Sequence, residues 1–171
     1  MPNDVDVELQ VRAITDVVPM GQGSWSFTGD STQVDLAFLD ELPPDAIAAV
    51  NLRGVVVASV PSLARFAPGL RRLVLADTAL EDDALSTVGR LSGLTSLQTW
   101  GNGFTNEGVE ALRALQSLES LFLEEASLTA AAFNIAGALP NLVTLGCQDA
   151  SLTNEEFEEL QRNLPGVRVF R

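Results

Sequence analysis

Any chemistry in this sequence falls to carboxylates, arginines, hydroxyls or a single thiol, because histidine, tyrosine and lysine are all absent. The absences remove the commonest general base, the usual nitrogen ligand of zinc and the amine nucleophile. Glu124 and Asp149, on neighbouring segments, are the carboxylates best spaced for acid–base work. With Asp77 and Glu125 they also offer hard oxygen ligands, but their spacing matches no calcium loop. "GQGSW", Gly21 to Trp25, lacks the third glycine, the lysine and the helical continuation of a phosphate loop, and reads as a turn. Cys147 has no second cysteine to pair with and falls at an apolar position, so it reads as packing. No catalytic residue, cofactor or metal site is expected. What remains is binding, and two aromatics, Trp100 and Phe122, carry that reading.

Composition narrows the classes further. With 171 residues, 46% of them hydrophobic and 19% charged, the chain is expected to form one globular domain. The net charge of −13 argues against nucleic acid and anionic lipid and is compatible with a basic protein partner. The start, "MPNDVDVELQ", has neither the basic residues nor the apolar run of a secretory signal. No apolar stretch is long enough to span a membrane. A cytoplasmic protein, monomeric or weakly self-associating, is the expectation.

The elements that would position these side chains come from an internal repeat. "LRRLVLADTAL" from Leu70, "LTSLQTWGNGF" from Leu94, "LESLFLEEASL" from Leu118 and "LVTLGCQDASL" from Leu142 begin 24 residues apart. Positions one, four and eleven are apolar in all four units, and position six holds Leu75, Thr99, Leu123 and Cys147. The front half alternates as a strand with one buried face, and the back half has the apolar spacing of a helix. Thr105, Thr129 and Thr153 stand where each helix would start, and Thr153 with Glu156 has capping-box spacing. The run Glu155, Glu156, Glu158 and Glu159 then reads as a solvated helix face.

L-x-x-L-x-L at this period resembles the leucine-rich-repeat family, in its ribonuclease-inhibitor-like form with a helical convex side. The resemblance covers residues 70–171 well and extends weakly to "LRGVVVASV" from Leu52; at the other end Val167 and Phe170 of "VRVF" would keep the first two anchors. It implies an α/β solenoid: a short curved parallel sheet inside, helices outside, and protein recognition more often than catalysis. Only Asn102 matches the family's asparagine at position nine, where Thr78, Ala126 and Ala150 otherwise stand.

Residues 1–50 do not follow the repeat and are expected to form a partly β cap on a solenoid spanning 51–171. "VDVELQV" reads as a strand, "PMGQGSWSFTGD" as turn, short strand and turn. "LAFLDELPPDAIAAV" reads as a degenerate unit from Leu36 and Leu39, then a short helix after Pro44.

Positions three, five and seven of each unit point away from the buried leucines. Position three holds Gly54, Arg72, Ser96, Ser120 and Thr144; position five Val56, Val74, Gln98, Phe122 and Gly146; position seven Ala58, Ala76, Trp100, Glu124 and Gln148. Position eight, where the strand ends, holds Asp77, Gly101, Glu125 and Asp149. The expected partner surface is therefore Arg72, Val74, Asp77, Gln98, Trp100, Phe122, Glu124, Glu125, Gln148 and Asp149. The expected function is a non-catalytic module that binds a protein through this face, with an inhibitor or immunity-type protein masking a toxin or enzyme as the alternative. A carboxylate-based enzyme and an assembly protein joined through the edge near Val169 and Phe170 stand behind these.

Overall fold

The computed structural model describes residues 16–19, 24–34, 43–44, 46–57 and 61–171. The strand expected over 5–11 and the anchors Leu36 and Leu39 lie outside the described residues. Within them, eight strands form one sheet in chain order: β1 (Asp16–Pro19), β2 (Ser24–Val34), β3 (Ala49–Val57), β4 (Arg72–Ala76), β5 (Ser96–Trp100), β6 (Ser120–Glu124), β7 (Thr144–Gly146) and β8 (Arg168–Phe170). β1 runs antiparallel to β2, and every later pair is parallel. This is an α/β leucine-rich-repeat-type solenoid, as the repeat leads one to expect.

From β3 onward each parallel crossover passes over one face of the sheet as a short helical segment. These are α1 (Asp82–Val88), α2 (Asn106–Val109), α3 (Ala130–Phe133) and α4 (Asn154–Asn163), with 3-10 turns at Pro61–Phe66, Glu110–Ala114 and Asn134–Ala138. A helix of a turn or two is marginal alone, so its stability comes from the leucines it buries. Leu70, Leu73, Leu94, Leu97, Leu118, Leu121 and Leu145 are fully buried between sheet and helices. Cys147 is buried in the same layer and its Sγ donates to the Phe170 carbonyl at 3.0 Å. Burial pushes this thiol up to about 11, so it packs and stays protonated.

The structure corrects the reading at both ends. Val50 pairs with Leu73 and Leu52 with Leu75, so the unit before Leu70 is anchored by Ile47, Val50 and Leu52, all buried. Its outward residues are therefore Asn51 and Arg53, where the sequence suggested Val56 and Ala58. The slip arose because "IAAVNL" and "LRGVVV" both satisfy the anchor pattern, and only pairing with β4 separates them. The helix expected after Pro44 does not form among the described residues: Ala46 and Ala48 are bends and β3 begins at Ala49. β2 is an 11-residue strand, longer than the short one expected. At the other end Val169 pairs with Leu145, which makes Val169 the anchor and leaves Phe170, expected to be inward, 48% exposed.

Among the described residues no helix is long and apolar enough to cross a membrane.

Candidate protein-interaction face

The sheet face opposite the helices carries in-register rows, because identical positions of successive units sit directly across parallel ladders. Position seven runs Arg53, Ala76, Trp100, Glu124. Strands lie about 4.8 Å apart, so Arg53 and Trp100 start about 10 Å from one another with Ala76 between them. Their long side chains close that gap: the Arg53 guanidinium carbon lies over the indole at 5.8 Å from its centroid. A cation held over an aromatic face gains about 0.5–1 kcal/mol at an exposed site. Ala76 beneath them is fully buried, and its small side chain leaves room for the arch. Trp100 is thus half-buried: outside the core, as expected, but partly covered by its own chain.

Position five runs Asn51, Val74, Gln98, Phe122, Gly146, Phe170. Gly146 is the reason Phe122 can lie down along the sheet. A Cβ on Gly146 would stand 2.1 Å from Phe122 Cδ1 and 2.7 Å from Cε1, so the ring occupies the volume a side chain would take. Phe170 stands on the far side of that glycine, on the next strand. Three rings, Trp100, Phe122 and Phe170, therefore share one face across three of its strands. Position three supplies the polar margin, with Arg72 and Arg168 exposed at its two ends and Ser96, Ser120 and Thr144 between them.

The opposite margin is acidic. Glu124 is half-buried beside Trp100, and its carboxyl is held above the ordinary value of 4.5 by burial and by the charges of Asp149 and Glu125. No arginine among the described residues forms an ion pair with Glu124 or Asp149, whereas Arg113 on the helical side pairs with Glu110. Nor do three acidic or thiol groups gather closely enough, among the described residues, to hold a metal ion.

Not every residue expected on this surface is available to a partner. Arg72, Asp77, Gln148 and Asp149 are exposed, and Gln98, Trp100, Phe122 and Glu124 are half-buried. Val74 is only 9% exposed and Glu125 only 2%. Glu125 turns inward because its carboxylate accepts from the Asn102 backbone N–H at 2.8 Å and from Asn102 Nδ2 at 3.1 Å. Asn102 in turn donates to the carbonyls of Leu75 and Trp100 and accepts from Thr78, so Glu125 is part of the turn and not of the surface. Asp77 and Asp149, with φ of 51° and 61°, also have a turn to hold, in a left-handed conformation that aspartate tolerates better than most residues.

Arg53 and Phe170 belong to the face and were missed. For Phe170 a usable signal was present: Cys147 to Phe170 is one residue short of a full period, which places Phe170 at position five. For Arg53 the signal was Gly54, which shares position eight, and left-handed φ, with Gly101.

Repeat, sheet and helices together define a leucine-rich-repeat-type solenoid with an aromatic open face. Among solved structures the chain is similar to an internalin from Listeria monocytogenes, at 19% identity and a TM-score of 0.54 over 85% of this chain. It spans 46% of that internalin's length, and the likeness is one of fold. No protein-family model matches the sequence, and no curated protein does so.

Proposed function

We propose that the protein is a non-catalytic interaction module that holds a protein partner against the open sheet face. Trp100, Phe122 and Phe170 act as anchors, and Glu124, Gln148 and Asp149 form the rim. One observation carries this: three rings outside the core on one face, beside carboxylates that form no ion pair among the described residues. Aromatic anchors ringed by polar groups are what binding hot spots are made of. The absence of histidine, tyrosine and lysine favours binding over catalysis, and the internalin's repeat fold is consistent with that by analogy only. The −13 charge and the open acidic rim favour a basic partner, in a cytoplasmic setting, over nucleic acid or a membrane. A basic toxin or enzyme masked by this chain is the sharpest form of the reading. The 24-residue unit with its helical convex side fits the ribonuclease-inhibitor-like form of the repeat.

The test is capture from cells of origin with the wild type and with Trp100→Ala/Phe122→Ala, both verified as folded by circular dichroism. A partner retained by the first and lost by the second, and released by salt, is the expected result. A partner held equally by both places the interface elsewhere.

A further inference from the structure

The convex side carries a cleft at the boundary between the units that start at Leu118 and Leu142, where one side-chain tie found at the two preceding boundaries is missing. Position thirteen holds Asp82, Asn106, Ala130 and Asn154. Asp82 accepts from the backbone N–H and hydroxyl of Thr105 in the next unit, at 2.8 and 2.6 Å. Asn106 likewise accepts from the Thr129 N–H at 3.0 Å and donates to its hydroxyl. Ala130 has no side-chain oxygen to offer Thr153. Thr153 instead closes a capping box within its own helix, bonding Glu156.

Position twenty shows the same change. A Cβ on Gly89 would lie 2.4 Å from the Ala111 carbonyl oxygen of the next unit, whereas one on Gly137 meets nothing within 4 Å. The first unit thus packs tightly on its neighbour and the third stands away from it. The result is a cleft of about 450 Å³ between α3 with its following 3-10 turn and α4. That volume lies within the range of small binding sites.

Its chemistry is one-sided. α4 contributes Glu156, Glu159, Leu160 and Asn163, which have the spacing of a single helical stripe, and Leu164 follows at its end. The opposite wall is Ala130, Ala131, Phe133, Asn134 and Gly137, and no basic side chain lines the cleft. Glu155 and Glu158 are exposed on the same helix, so the approach is anionic as well.

We propose that this cleft is a second docking site, separate from the open sheet face, for a basic amphipathic helix of a protein partner. Its apolar side chains enter between the two helical walls, and its cations face Glu159 and the free oxygen of Glu156. A groove between two helices takes an amphipathic helix by the same apolar stripe that packs helices together. Charge selects a basic one.

The probe is a fluorescein-labelled 14-residue Leu/Lys helix, with a Leu/Glu helix as control, followed by anisotropy in low and moderate salt. The variants are Gly137→Leu, which fills the cleft from an exposed position with room for a side chain, and Glu159→Lys. Trp100→Ala/Phe122→Ala is the control for the sheet face. Binding of the Leu/Lys helix, weakened on the order of tenfold by Gly137→Leu and by Glu159→Lys and unchanged by the sheet-face variant, is expected. Equal binding to all variants marks diffuse attraction to the −13 charge and overturns the proposal, as does no binding. Loss confined to the sheet-face variant overturns it too, while supporting the other face.

Discussion

Thr99 occupies an inward position that its neighbouring units fill with Leu75, Leu123 and Cys147. It is fully buried and its hydroxyl has no hydrogen-bond partner, which costs roughly 1–3 kcal/mol of desolvation. Valine has nearly the same shape without the hydroxyl. Thr99→Val should therefore raise stability by about 1 kcal/mol in urea unfolding, and a loss would mean the hydroxyl has a partner. Glu124 makes a second case at this scale. Its folded carboxyl titrates above its unfolded value, so the neutral form favours the folded state, and that benefit disappears as pH rises through the raised range. Glu124→Gln should melt higher than the wild type at neutral pH, with the gap closing as pH falls toward 4.5. A gap that stays constant across that range would place its cause outside the carboxyl's titration.

At the scale of elements, the strand exits decide how units stack. Gly54, Asp77, Gly101 and Asp149 all take positive φ at position eight; Glu125, in the same register, does not. That unit compensates by sending the Glu125 carboxylate inward to Asn102, which links the turns of three successive units. Asn102→Ala would strip the side-chain bonds to Glu125, Thr78 and the Leu75 and Trp100 carbonyls, and leave the buried carboxylate with only the backbone N–H at position 102 as a donor. The expected loss is about 2 kcal/mol in chemical denaturation, larger than for an exposed asparagine. A loss below about 1 kcal/mol would show that the turn is held by other bonds.

For the whole molecule, the arrangement is one-dimensional: each unit touches its neighbours, and the faces can change without disturbing the core. Trp100→Ala/Phe122→Ala should therefore keep the fold while reducing partner affinity by about 2 kcal/mol or more per ring. The same independence lets the α3–α4 boundary open without disrupting the sheet, which continues in register across it through β6 and β7.

The 24-residue period made the fold legible from Leu70 onward, since a leucine every three or four residues and then every two has few other solutions. Alternation likewise placed Trp100, Phe122 and Glu124 on one face, because residue parity along a strand depends on nothing distant. Registers at the ends, where two anchor sets fit equally well, had to be decided by pairing with β4 and β7. Burial of Val74 and Glu125, the Arg53 arch over Trp100, and the ring of Phe122 lying on Gly146 depend on side chains 22 or more residues apart. A periodic pattern determines which way a residue points. Only the packed neighbour determines what meets it there.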